Sequence, residues 1–262
     1  MGTHSKPGFT IIETMLVLAI TGVLIAGLLI GIGTSIGVQR YGDAVSTFKA
    51  LLQDQYTRVS NVSNDRDASW TCSASATPSQ GSTGGIAPGQ SNCVLLGRYI
   101  SIVDGDISLA TVVGYENATS TSSSDIQTVK DNYTLGLSTS SIDKKTLEWG
   151  TKIAWPQPRA PSPRSIAIFI LRSPESGTTY TFTSDSVAPI EAVSSPTLKA
   201  MLVETVASFP GQGQRTLCID PDGAPVPEKF AIYMAQAANG PGSIETRTAT
   251  TNAAAGGGTT QC

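Results

Sequence analysis

The sequence has little of what an enzyme active site usually needs. Its only histidine is His4, so almost the whole chain lacks the commonest general base, which is also a frequent metal ligand. The motif H-E-x-x-H and the phosphate-binding P-loop do not occur. The string G-x-S-x-G occurs at residues 33–37, but inside a long apolar run and not at the strand-to-helix elbow that a nucleophilic serine needs. Asp104-Gly105-Asp106 and Asp220-Pro221-Asp222-Gly223 do not extend into a calcium loop, and both patterns are typical of turns. We therefore expect a protein that is not an enzyme, with no metal and no cofactor.

Charged residues are also scarce. They make up 14% of the chain, whereas about 25% is usual in soluble domains. The net charge of −3 gives no sign of a general nucleic-acid-binding protein, which carries a strong excess of positive charge. The nearest approach to a basic patch is Arg159 with Arg164. A chain of 262 residues is long enough for a membrane anchor and one sizeable domain.

The four cysteines are Cys72, Cys93, Cys218 and Cys262, and none of them belongs to a C-x-x-C pair. An even number of cysteines in a Ser-, Thr- and Gly-rich region is typical of disulfides in an oxidising compartment. Four cysteines allow three pairings, and the sequence does not choose among them. We favour Cys72 with Cys93 and Cys218 with Cys262, and buried free thiols are the alternative.

A long helix is predicted near the N-terminus. Proline is absent between Pro7 and Pro78, so one helix can run from about Thr10 into the fifties. Within it, residues 15–38 form a run of 24 without a charge. That exceeds the roughly 20 residues that a helix needs to span a bilayer.

After Arg40 the pattern becomes amphipathic. Apolar side chains recur at steps of three and four, which places them on one helical face. These side chains are Tyr41, Val45, Phe48, Leu52, Tyr56 and Val59. A polar run at residues 60–65 ends the helix. The first half of the helix therefore suits lipid, and the second half offers a stripe on which a domain can pack.

Two simpler interpretations of the apolar run explain less. A secretory signal peptide has a shorter apolar core followed by a cut site of small residues, whereas this run continues into an amphipathic helix. An ordinary membrane anchor explains neither the acidic Glu13 nor the Gly8-Phe9 junction. A carboxylate in such a segment costs up to about 2.5–3.5 kcal/mol on insertion scales, so a function and a partner are expected for it.

The string GFTIIETMLVLAI resembles the start of the type IV prepilin family. In that family a short polar leader ends in Gly, Phe follows, and Glu is the fifth residue after the junction. The resemblance implies a leader at residues 1–8 that prepilin peptidase removes by cutting between Gly8 and Phe9. It also implies N-methylation of Phe9. Glu13 is then the fifth residue of the mature chain, and we expect it to pair with the α-amine of a neighbouring subunit.

The predicted fold class is α+β. A long helix over residues 9–65 is expected to pack on a mainly antiparallel β-sheet domain over residues 66–262, which is the order found in pilins. Strand pairs are predicted at 93–103 with 107–115, at 165–172 with 178–182, and at 215–220 with 230–236, with further strands at 151–155 and 243–249.

Three other regions carry weaker signals. Residues 66–92 are predicted to be a loop, because they are rich in Ser, Thr, Gly and Pro. Residues 117–145 are predicted to be a polar surface excursion. Residues 198–209 fit neither the helical nor the strand period.

The expected function is structural. The resemblance implies a pilin-like subunit, which we expect to be a minor pilin, assembled into a helical pilus. Its partners would be other pilin subunits, prepilin peptidase and the pilus assembly platform, with membrane lipid around the helix before assembly. The chain would cross the inner (cytoplasmic) membrane once, with its C-terminal domain outside, and would then join an extracellular pilus. The alternatives are a type II secretion pseudopilin, a tip subunit that binds DNA or a surface, and a membrane-anchored domain unrelated to filaments.

Overall fold

The fold is described from a computed structural model. The structure describes residues 10–61, 70–81, 93–119, 122, 124–156, 164–203, 216–235, 238–248 and 262. The predicted leader, the Gly8-Phe9 junction and Arg159 lie outside the described residues.

The long helix α1 runs over Ile11–Ser60, which is 50 residues. The hydroxyl of Thr10 caps its start by accepting a hydrogen bond from the backbone N–H of Glu13 at 3.3 Å. At the other end, the N–H of Asn61 bonds to the carbonyl of Thr57, where the polar run begins. The helix therefore begins and ends where the sequence predicts.

The described part of the chain contains three α-helices and twelve strands, together with short 3-10 turns. The two later helices are α2 (Asp125–Asn132) and α3 (Ser195–Met201). The strands are β1 (Trp70–Cys72), β2 (Pro78–Gln80), β3 (Cys93–Val103), β4 (Asp106–Glu116), β5 (Tyr133–Leu137), β6 (Asp143–Thr146), β7 (Lys152–Ala154), β8 (Ile166–Arg172), β9 (Thr179–Ser184), β10 (Thr216–Asp220), β11 (Phe230–Met234) and β12 (Ile244–Thr248).

The strands form two main sheets and one small hairpin. The larger sheet has the order β5-β4-β3-β8-β9, and β6 also pairs with β4. The second sheet has the order β12-β11-β10-β7, and β1 pairs with β2. All of the described pairs are antiparallel, which confirms the α+β prediction. The three predicted strand pairs, β3 with β4, β8 with β9 and β10 with β11, are all present.

The turn between β3 and β4 shows how the sequence sets a hairpin. Val103 pairs with Asp106, so only Asp104 and Gly105 form the turn. Both have a left-handed backbone, with φ of 51° and 98°. Two consecutive left-handed residues match the twist of the strands, and Asp-Gly is a preferred pair for them.

The second half of α1 packs on both main sheets. Each of the six predicted stripe residues has at most 3% of its surface exposed, so that prediction is confirmed. They contact apolar side chains of the larger sheet and of the second sheet, and the whole set forms one core. The sheet side chains include Ile100, Ile102, Ile107, Leu109, Ile168, Ile170, Leu217, Ile219 and Ile232.

A second core lies on the far face of the larger sheet. There α2 contributes Ile126 and Val129, and α3 contributes Leu198 and Met201. Strand β8 therefore lies between two apolar layers and is buried on both faces. This explains why its sequence is a continuous apolar run, although antiparallel strands often alternate.

The prediction that residues 117–145 form a polar surface excursion is wrong, because α2 and β5 lie within them and β6 begins there. Two sequence signals mark the start of α2. Ser124 and Gln127 have the spacing of a helix start, and the Ser124 hydroxyl accepts from the N–H of Gln127 at 3.2 Å. Ile126 and Val129 then recur at helical spacing and pack into the second core.

The other two weak regions also contain structure. Strands β1 and β2 lie inside the predicted loop at residues 66–92. Helix α3 begins just before the ambiguous segment at residues 198–209, of which residues 204–209 lie outside the described part. Residues 66–92 contain few apolar residues, and residues 198–209 contain many without a single period, so local pattern does not predict these elements.

Candidate functional site on the long helix

The first half of α1 is exposed all the way round. Residues 10–36 are all exposed, including large apolar side chains such as Ile11 at 78% and Leu24 at 62%. A helix that is apolar on every side needs lipid or other helices around it. By length and composition, the helix is long and apolar enough to cross a membrane, and none of its most apolar stretch is buried.

Three threonine hydroxyls in this half donate hydrogen bonds within the helix. Thr14, Thr21 and Thr34 donate to the carbonyls of Ile11, Val17 and Gly31 at 2.9, 2.5 and 2.9 Å. These bonds let a hydroxyl enter an apolar environment without an outside partner.

Glu13 differs from those hydroxyls. Its carboxylate lies exposed in the first turn of α1. Within the described residues, no side chain bonds to it. The partial positive charge of a helix N-terminus favours an acid here, but only by about 0.3–1 kcal/mol at exposed sites. That is less than the cost of taking a carboxylate into a membrane or a helix bundle, so the helix N-terminus alone does not offset it.

A groove of small residues lies on the same half of the helix. At Gly27 and Gly31 an added methyl group would meet no atom within 4 Å, so the helix surface is open there. The groove is bordered by Val23, Leu28 and Ile32. Glycines four residues apart allow another helix to approach the backbone closely.

Residues 4–29 match the family model described as the prokaryotic N-terminal methylation motif. This segment is the signature of type IV pilins and pseudopilins. The resemblance noted from the sequence is therefore confirmed. The matched residues include Gly8 and Phe9, which lie outside the described residues, and the exposed Glu13. No curated protein and no solved structure matches the chain.

The matched segment covers only the start of the chain. The rest of the chain is compared with pilins through its fold. A long N-terminal helix with antiparallel sheets packed on its second half is consistent with the pilin fold. The methylation motif indicates a structural subunit and gives no support to an enzyme.

Tyr41 fixes the helix to the domain where the exposed half ends. Its hydroxyl donates to the carbonyl of Ile219 at 2.8 Å and accepts from the N–H of Phe230 at 2.7 Å. Its ring stacks on Phe230 with centroids 5.8 Å apart. Burial raises the pKa of the Tyr41 phenol above its usual value, and the bond from Phe230 partly opposes this.

We expect Tyr41→Phe to lower the free energy of unfolding by about 1–3 kcal/mol, because a buried donor and acceptor lose their partner. Denaturant unfolding of the full chain in detergent measures this. Tyr233→Phe is the matched control, since it keeps the ring that Arg247 covers at 3.6 Å. An equal loss in both variants would contradict the role of the Tyr41 hydroxyl.

A buried arginine makes a second link that the sequence analysis missed. The Nε of Arg98 on β3 donates to Gln55 of α1 at 2.9 Å, and its Nη1 donates to Thr111 at 2.6 Å. Burial lowers the pKa of Arg98, and the nearby Arg58 adds to this. The available signal was Gln55 itself, a polar residue on the apolar face of α1.

A third link lies near the end of α1. The hydroxyl groups of Tyr56 and Thr181 are 2.7 Å apart, and the Thr181 hydroxyl donates to the carbonyl of Ala238 at 2.7 Å. With Tyr41 and Gln55, this link fixes the rotation of the helix against the sheets.

The structure joins Cys72 to Cys93 and Cys218 to Cys262, the pairing that we favour from the sequence. The first bond fastens β1 to the start of β3. The second fastens β10 to the last residue of the chain, 44 residues away. Both close loops of the unfolded chain, which stabilises a fold by about 2–4 kcal/mol in typical cases.

Arg164 does not belong to an exposed basic patch. Only 2% of its side chain is exposed, and it bonds to Asp185 at 3.0 Å and to the carbonyl of Thr216 at 2.8 Å. Its guanidinium also lies 4.0 Å from the ring centre of Trp155. The side chain connects β10 to the segment after β9, so it is not available to a nucleic acid.

The two acidic segments form turns. Asp222 and Gly223 have left-handed backbones, and the N–H of Asp222 bonds to the Asp220 carboxylate at 2.9 Å. Lys152 and Lys229 lie 3.6 and 3.8 Å from Asp222 and Asp220. In the part of the chain that the structure describes, no three His, Cys, Asp or Glu side chains are grouped as metal ligands would be.

Proposed function

We propose that this protein is a pilin-like structural subunit, a minor pilin that is assembled into a helical pilus. Prepilin peptidase removes residues 1–8 by cutting between Gly8 and Phe9, and Phe9 is then N-methylated. The first half of α1 holds the subunit in the inner membrane, with the domain over residues 66–262 outside. An assembly platform then transfers the subunit into the filament.

This proposal rests on one observation: a single continuous helix has two halves with different surroundings. The half that contains the methylation motif is apolar and exposed on all sides, whereas the half after Arg40 is buried along one stripe. A domain packed on the second half leaves the first half free to exchange lipid for the helices of other subunits. Lipid and neighbouring helices are equally apolar, so this exchange does not expose apolar surface to water.

Glu13 sets the axial register between neighbouring subunits in the filament. Cleavage after Gly8 places a positive α-amine on Phe9, and in a helix bundle the Glu13 of one subunit pairs with the amine of its neighbour. A buried charge without a partner is costly, whereas a matched pair is tolerated. The pair therefore selects one stagger between subunits, although it adds little net stability.

The motif is shared by pilins and pseudopilins, so a type II secretion pseudopilus is the second candidate assembly. A tip subunit that binds DNA has less support, because Arg164 is buried in contacts within the domain.

N-terminal mass spectrometry of protein from the native cells tests the proposal. We expect the mature chain to start at methylated Phe9, and the same protein from cells without prepilin peptidase to keep residues 1–8. If the native protein retains its first eight residues, the processing and the pilin-type assembly are both rejected.

A further inference from the structure

Trp149 is an exposed aromatic residue held in an unusual backbone conformation. Its side chain is 55% exposed, and its φ of 58° lies in the left-handed region. A bulky residue in this region costs about 1–3 kcal/mol and persists only where the surrounding structure imposes it. The surrounding turn therefore holds Trp149 in this exposed position.

The turn around Trp149 is firmly fixed. Leu147, on one side, is buried in the core on α1, and its N–H bonds to the carbonyl of Gly105 at 2.9 Å. Thr151, on the other side, is 3% exposed, and its N–H bonds to the carbonyl of Glu148 at 3.2 Å.

Trp149 lies at the level where the uncharged part of α1 ends. The guanidinium carbon of Arg40 is 4.7 Å from the centre of the Trp149 ring. The neighbouring Glu148 accepts a hydrogen bond from Thr47 at 3.4 Å. Arg40 lies about two helical turns before Thr47, so Trp149 is on the side of this turn that faces the apolar half of α1.

A second apolar loop lies at the same level. Pro225, Val226 and Pro227 face Val38 and other residues of α1 just before Arg40. Both prolines are exposed, and Val226 is partly buried on the core. We call Trp149 and residues 225–227 together the basal collar.

We propose that the basal collar rests in the phospholipid headgroup layer of the membrane that α1 crosses. This inference rests on the membrane-anchored stage of the proposed function. The 24 uncharged residues at 15–38 extend about 36 Å as a helix, slightly more than the roughly 30 Å of a hydrocarbon core. Arg40 and the collar therefore emerge at headgroup level.

The side chains of the collar suit that layer. Tryptophan is enriched where hydrocarbon meets water, because its ring is apolar and its N–H is polar. The guanidinium of Arg40 can stack on the Trp149 ring and still bind a lipid phosphate with its outward donors. Above the collar, Lys152 lies near Asp222 and Lys229 near Asp220, so each of these two carboxylates is offset by a lysine.

Fluorescence quenching of the full chain in phosphatidylcholine–phosphatidylglycerol vesicles tests this inference. A Trp70→Phe/Trp155→Phe variant leaves Trp149 as its only tryptophan. We expect its emission to be quenched more by lipids brominated near the headgroup than by lipids brominated near the chain end. Addition of acrylamide to the water should quench it only weakly.

Trp70 supplies the matched control, in a Trp149→Phe/Trp155→Phe variant. The bond from Cys72 to Cys93 places β1 at the start of β3, and β3 extends roughly 30 Å or more from there to the Asp104-Gly105 turn that bonds to Leu147. Trp70 should therefore respond to acrylamide and not to brominated lipid.

The possible outcomes separate the two proposals. If the chain enters vesicles but Trp149 responds to acrylamide as fully as Trp70 does, the collar stays in water and the inference is overturned. Protection of Trp149 that depends on the protein-to-lipid ratio and not on bromination would show that a second copy covers the collar, which also overturns it. A chain that does not float with vesicles would overturn the membrane stage of the proposed function and this inference with it.

Discussion

Cells that make Glu13→Val in place of the native subunit are expected to keep the protein in the membrane but not to incorporate it into filaments. Valine makes the helix more apolar, so membrane insertion is unimpaired. In a filament, however, the α-amine of Phe9 would be buried without its partner. Removing one member of a buried ion pair costs about 3–5 kcal/mol, which weakens each subunit contact roughly a hundredfold or more.

Membrane fractionation and recovery of sheared filaments measure the two steps separately. Thr14→Ala is the matched control, because the Thr14 hydroxyl bonds to the carbonyl of Ile11 in its own helix. We expect that variant to assemble normally. Normal incorporation of Glu13→Val would show that the carboxylate does not hold the register between subunits.

A chemical version of the same experiment distinguishes a pair from a single charge. Acetylating the α-amine of the mature native subunit leaves Glu13 without a partner, and we expect this to impair assembly as much as Glu13→Val does. Acetylated Glu13→Val buries neither charge and should assemble better than either single change. If the combined change is worse than both, the two groups act independently.

Leu52→Ala is expected to lower the free energy of unfolding of the domain by about 2–5 kcal/mol, because it removes a fully buried side chain and leaves a cavity. Leu52 is 1% exposed in the core that α1 shares with both sheets. A change of this size is a large fraction of the free energy of unfolding of a typical domain, which is roughly 5–15 kcal/mol.

Leu28→Ala gives the control with the same chemistry in the other half of the helix. Leu28 is 65% exposed, so its truncation should leave the stability of the domain unchanged. Denaturant unfolding in detergent, followed by tryptophan fluorescence, compares the two variants with the native chain. Equal midpoints for Leu52→Ala and the native chain would contradict the packing of the sheets on α1.

The sequence predicted the features that depend on local periodicity and local turn chemistry. One helix with two different halves is specified by three local features. They are the uncharged run, the apolar stripe from Tyr41 to Val59, and the absence of proline between Pro7 and Pro78. Asp104-Gly105 likewise specifies a hairpin between two apolar runs. Each of these patterns lies within a few turns of helix or one pair of strands, so the chain reveals it without tertiary contacts.

The candidate site is also marked by a local pattern in the sequence. Gly8, Phe9 and Glu13 lie within six residues of one another, and their spacing carries the signal. The second core was missed because its helices are short. Eight residues of α2 offer two turns of pattern, and neighbouring polar residues obscure them.

By itself, then, the sequence determined the long helix, its two halves and the position of the acid at its start. Only the tertiary structure decided that the strands form two sheets on one helix, that Arg98 and Arg164 are buried, and that Trp149 lies beside Arg40. The reason is that a side chain's burial and partners depend on residues far away in the chain. Arg98 meets Gln55 across 43 positions, and Arg164 meets Thr216 across 52.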